Sequence, residues 1–234
     1  MRLAARTALL GGALLGALGW WLPWILDERG AAALVLLGLD LGDFWKFTAE
    51  WRAGLFTWER LTFFLPPVLA ANLLTLWLAG ATGRWRWLSA PPILFLALVV
   101  LPAIDLLLPY FAWFPPRLTD PDQSRQFSAQ LYGSLATLLA LLLVPLWQRL
   151  STRVRALLAL GLALAGMVLP AWAMWRTWPT LQGLYGGGAE IGPGLWLSMG
   201  GFLIAALGAL VLARVEEASS PTAEPLSPAE APLA

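Results

Sequence analysis

Neither cysteine nor histidine occurs among the 234 residues. No disulfide can form, so cysteine usage carries no information on redox compartment. Thiolate nucleophiles, Cys/His zinc sites and His-ligated haem are excluded, and the commonest general base is missing. Charge is also scarce. Only 12% of the residues are charged and 59% are hydrophobic, against roughly 25% and 45–50% in soluble domains. A water-soluble fold could not cover itself with so few charges, whereas lipid solvates an apolar surface. The net charge is +1, and charges fall between the apolar blocks, so no basic stripe exists for a nucleic-acid backbone to follow. Lysine is nearly absent. Lys46 stands alone among 15 basic residues, which together with the abundant Ala, Leu, Gly and Pro reads as GC-rich coding. No Walker-type phosphate loop and no aspartate-rich prenyl-diphosphate motif occurs. The alternating segments of a transmembrane barrel are absent too.

What is present is a series of long apolar runs. A helical span needs about 20 mainly apolar residues, and six stretches qualify: about Leu3–Leu26, Leu61–Ala81, Leu88–Phe114, Phe127–Leu150, Leu157–Trp175 and Leu195–Val215. Each is expected to be helical, because lipid offers backbone groups no partner. The first run follows Arg2 and Arg6 and precedes the small residues Ala31–Ala33, as in a signal peptide. Its length and its closing Trp20, Trp21 and Trp24 favour a retained helix instead.

The short loops set the orientation. Thr82–Trp87 carries Arg84 and Arg86, and Gln148–Ala156 carries Arg149, Arg153 and Arg155, both without an acid. Such loops belong in the cytoplasm. The expected fold is therefore an all-α integral membrane protein of the cell membrane, a six-helix bundle with both termini cytoplasmic. Tryptophans at the span ends, among them Trp20, Trp21, Trp24, Trp147, Trp175 and Trp196, are read as headgroup anchors.

Between the first two spans, Leu41, Phe44, Phe47, Trp51, Leu55 and Trp58 recur at spacings of three and four. This stripe predicts an amphipathic helix over about Leu41–Leu55, lying on the outer surface and covering the bundle. The preceding Gly30–Leu39 is apolar but too short to span. Residues 1–215 form the membrane domain. From Glu216 the chain turns polar and proline-rich, which predicts a disordered cytoplasmic tail over 216–234. A faint internal echo pairs Leu22-Pro23-Trp24 with Leu169-Pro170-Ala171-Trp172, and Asp40-Leu41-Gly42 with Glu190-Ile191-Gly192; chance in a biased composition is the leading reading, and a duplication of the kind found in transporters is the alternative.

Asp105 is the one acid deep in a span. Burying a carboxylate near mid-bilayer costs at least about 2.5–3.5 kcal/mol on insertion scales. Pro102 and Pro109 flank it, and each frees the carbonyl four residues earlier. Asn72, Thr137 and, slightly shallower, Ser134 fall at similar depths in the neighbouring spans. The four are candidates for an intramembrane polar cluster, acting as interhelical glue, as a proton- or cation-coupling site, or as a contact for a lipid or quinone headgroup. Gly12 and Gly16, and Gly201, Ala205 and Ala209, form small-residue stripes that permit close helix contact.

No catalytic, metal or cofactor site is expected. The leading expectation is a non-catalytic membrane subunit or scaffold, with lipid as one ligand and a membrane protein or a second copy as partner. The alternative is a secondary transporter for a small solute, with Asp105 as its coupling site.

Overall fold

The structure is a computed structural model that describes residues 1–27, 35–45, 53, 58–81, 93 and 135–219. Helix predominates. Among the described residues three helices are long and apolar enough to cross a membrane: Arg2–Trp20, Thr152–Leu184 and Pro193–Val215. Their character suggests membrane association. The rest of the expected third span and residues 127–134 of the fourth lie outside the described residues. Ile93 alone in that third stretch is described, helical and buried.

Helix α1 (Arg2–Trp20) is built from Ala, Leu and Gly without an internal proline. The first apolar run was expected to continue as helix to Leu26. It stops at Trp20 because Pro23 disfavours helical geometry at Leu22. The chain then extends as β1 (Pro23–Asp27). The Trp24 indole donates to the Gly19 carbonyl at 2.8 Å, satisfying one of the acceptors that a helix C-terminus leaves open.

β1 is the centre of a three-stranded antiparallel sheet in the order β2-β1-β3, which nothing in the periodicity had indicated. β2 (Val35–Leu37) comes from the apolar segment too short to span. β3 (Ala189–Ile191) comes from the last loop, far along the chain. Helix α2 (Gly38–Phe44) follows β2, with the Asp40 carboxylate accepting from the Leu37 N–H at 2.9 Å. It covers the start of the expected Leu41–Leu55 helix; residues 46–52 and 54–57 lie outside the described residues.

The second span is broken in two, α3 (Trp58–Phe63) and α4 (Leu65–Gly80). Pro66 and Pro67 cause the break, since neither can donate to the carbonyl four residues earlier. Phe63 O, freed by Pro67, accepts instead from the Trp20 indole at 2.7 Å. Residues 135–142 are helical and lead, through a turn at Leu143, into α5 (Val144–Trp147). Helix α6 (Thr152–Leu184) starts with the Ser151 hydroxyl accepting from Val154 N–H and runs through Pro170 and Pro179. At about 1.5 Å per residue its 33 residues reach about 50 Å, well beyond the roughly 30 Å of a hydrocarbon core. Gly186 and Gly187, both at positive φ, end it. Helix α7 (Pro193–Ser219) runs past Val215 as far as Ser219.

The sequence echo has no structural counterpart. Pro23 opens a strand whereas Pro170 sits inside a helix, and Asp40–Gly42 is helical whereas Glu190–Ile191 is strand.

Helices α1 and α7 pack antiparallel along their small-residue stripes. A Cβ on Gly12 would run into the Ala205 and Gly201 backbones, and one on Gly201 into those of Gly16 and Gly12. Ser198 donates from its hydroxyl to the Gly16 carbonyl at 3.0 Å across the pair. The stripes therefore serve contact within the chain.

Two apolar clusters result. One, rich in Ala and Leu, runs between α1, α4, α6 and α7. The other, rich in aromatics, sits under the sheet and gathers Trp20, Trp24, Trp45, Phe63 and Phe64. Two of the expected headgroup anchors are thus core residues: Trp20 and Trp24 are both 0% exposed, their N–H groups turned to backbone carbonyls. Trp175 and Trp196 are exposed, as an anchor requires.

Candidate functional site

Of the four expected polar-cluster residues, Asp105 and Ser134 lie outside the described residues. Asn72 and Thr137 are described. Asn72 is partly buried on α4 and donates from its side-chain amide to the Val68 carbonyl of its own helix at 2.8 Å. Thr75, one turn on, bonds likewise to Ala71 O at 2.8 Å. Thr137 is fully buried.

The described residues form a different site at one end of the bundle. The start of α1, the end of α4, the start of α6 and Leu212 near the end of α7 line a half-open cavity of about 350 Å³. Its polar lining comes from Arg6 and Thr7 on α1 and Thr152 and Arg155 on α6, with Trp77 from α4. Its apolar wall includes Leu10, Leu76 and Leu212. The Arg155 guanidinium donates to the Thr152 hydroxyl at 3.3 Å, a bond that turns it along the first turn of α6. The end of α4 borders it: a Cβ on Gly80 would stand in ordinary contact, 3.5 Å from Arg155 Nη1. The Thr7 hydroxyl donates to Leu3 O at 3.0 Å.

Arg6 and Arg155 give the lining a positive character. Guanidinium groups stay protonated at any ordinary pH and cannot act as bases. The described lining contains no carboxylate, and no group of metal-binding side chains occurs among the described residues. The sequence exposes Arg6 and Arg155 as orientation signals only. Their convergence depends on α1 and α6 starting at the same end, and spacing within either segment does not encode that.

The opposite end carries the sheet and a second polar grouping. Asp27, at the end of β1, is 8% exposed. Tyr185 caps α6 nearby, and burial followed by the Asp27 charge raises its phenol above the usual range. Gln182 donates from its side-chain amide to Ala189 O at 2.7 Å, tying α6 to β3. Asp27 reads in sequence as one of several loop acids, and no signal there marks it as buried. No protein-family model matches the chain, and no curated protein or solved structure matches it either.

Proposed function

We propose that the chain is a non-catalytic membrane subunit or scaffold of the cell membrane, with six spans and both ends in the cytoplasm. The observation that carries this reading is the α1–α7 interlock. Backbone lies against backbone where Gly12 and Gly201 meet their neighbours, and a hydroxyl bond crosses the pair at Ser198. A contact this close, built on small residues, joins the two helices into one body. The sheet adds to it by joining the segment after α1 to the segment before α7. Such a body suits a fixed platform.

The span count draws support from the cavity. The start of α1, the end of α4 and the start of α6 meet there, an arrangement that suits an even number of crossings between α4 and α6. Two crossings agree with the apolar runs at Leu88–Phe114 and Phe127–Leu150. The arginines at this end agree with a cytoplasmic location.

Isolation of the full chain in mild detergent tests the proposal. A scaffold carries a membrane-protein partner or a second copy in fixed stoichiometry, and Asp105→Asn, which keeps the side chain's shape, retains that assembly. Solute uptake by vesicles containing this chain alone, abolished by Asp105→Asn, overturns it.

A further inference from the structure

We propose that the cavity between α1, α4 and α6 is a binding site for the phosphate of an anionic lipid in the cytoplasmic leaflet. The inference rests on the proposed orientation but not on the scaffold role. Three independent features converge. The first is charge: Arg6 and Arg155 line one cavity from two different helices, and paired guanidiniums match phosphate oxygens in both charge and geometry. The starts of α1 and α6 lie at the same end, and the positive ends of two helix dipoles reinforce the potential. The second is amphipathicity. The Thr152 hydroxyl accepts from Arg155 and Thr7 joins the polar lining, while Leu10, Leu76 and Leu212 form an apolar wall. A free inorganic anion would leave that wall wet, whereas the glycerol and first methylenes of a lipid would cover it. The third is depth. The cavity opens where three helices begin or end, the level at which headgroups lie, and Trp77 lines it as an interfacial indole would. Its volume of about 350 Å³ is at the low end for ligand pockets. It takes a headgroup and the root of the chains, and the acyl tails continue into the bilayer. Basic pockets between helices on the cytoplasmic side are sites where anionic headgroups bind.

The test uses the full chain in neutral detergent and native mass spectrometry with added phosphatidylglycerol, phosphatidylcholine or inorganic phosphate. One phosphatidylglycerol should be retained selectively over phosphatidylcholine. Arg6→Gln and Arg155→Gln should each weaken retention about tenfold or more, in line with a lost charge-assisted hydrogen bond. Arg153→Gln, on the same helix but outside the cavity lining, should leave it unchanged. Should the arginine variants fold poorly, Gly80→Leu fills the space beside Arg155 and keeps every charge; it too should abolish selectivity. Equal retention of the two lipids overturns the proposal. So does an equal effect of Arg153→Gln, which would mean diffuse surface attraction. Inorganic phosphate binding as tightly as the lipid would identify a free-anion site and overturn the lipid assignment.

Discussion

At single positions the α1–α7 contact makes neighbouring glycines behave in opposite ways. A Cβ on Gly12 meets the backbone of α7, but nothing lies within 4 Å of one on Gly11. Gly12→Ala should therefore lower thermal stability in detergent by about 1–3 kcal/mol, the usual cost of overpacking. Gly11→Ala should be neutral or stabilising, since alanine favours helix over glycine by about 1 kcal/mol. Equal melting of the two variants would refute the close approach. Ser198→Ala removes one interhelical hydrogen bond and should cost about 0.6 kcal/mol, the average for such bonds in a membrane protein. Tyr185 supplies a pH signature. Burial first, and the Asp27 charge second, hold its phenol above the usual range in the folded state. Its proton is then bound more tightly in the folded than in the unfolded chain. The resulting stability is fully present below the ordinary phenol value and is lost as pH rises through the folded one. Tyr185→Phe should remove that alkaline decline, and Asp27→Asn should bring tyrosinate absorbance in at lower pH than in the wild type. An unchanged titration in Asp27→Asn would mean that the charge does not reach the ring.

Among the elements, those with long uniform signals were legible and those made by pairing were not. The runs beginning at Leu3, Leu157 and Leu195 all contain helices, because a long apolar stretch in lipid must bond its own backbone. Their ends were misjudged for local reasons. Pro23 closes α1 early, while Pro170 and Pro179 are absorbed within α6, so proline alone does not say whether a helix stops. The sheet was invisible because β1 and β3 are only five and three residues long and pair across most of the chain. Short apolar strands show no alternation to read. The register gives a direct test in a chain without cysteine. Leu26 faces Glu190, and residues directly opposite in an antiparallel pair share a face. Leu26→Cys with Glu190→Cys should form a disulfide under mild oxidation, while Leu26→Cys with Ile191→Cys should not, since adjacent strand residues point to opposite faces. Equal cross-linking of both pairs would mean that the register is wrong. The candidate site follows the same division. Arg6 and Arg155 stand out as basic residues in acid-free segments, yet their meeting is a tertiary fact. Depth, which brings Asn72 and Thr137 together in sequence, is a one-dimensional measure, and the bond that holds the Asn72 amide is local.

For the whole molecule, the arrangement of ends constrains topology more tightly than any loop taken singly. Arg6, Gly80 and Arg155 lie around one cavity, while β1 and β3 pair at the opposite end of α1 and α7. Ala81, at the end of α4 and in the cavity lining, therefore lies on the side of Arg6, and Gly188, between α6 and β3, on the other. Basic, acid-free segments favour the cytoplasm for the first side. Cysteines at Ala81 and at Gly188, introduced singly, report this with an impermeant thiol reagent on intact cells. Gly188→Cys should label at once, and Ala81→Cys only after permeabilisation. Labelling of both from outside would contradict the antiparallel arrangement of α4 and α6. The reverse pattern would keep that arrangement but invert the protein. Inversion would carry Arg6 and Arg155 to the outer leaflet, away from the anionic lipids that concentrate at the cytoplasmic surface. The orientation experiment therefore also decides which leaflet the cavity can draw its ligand from.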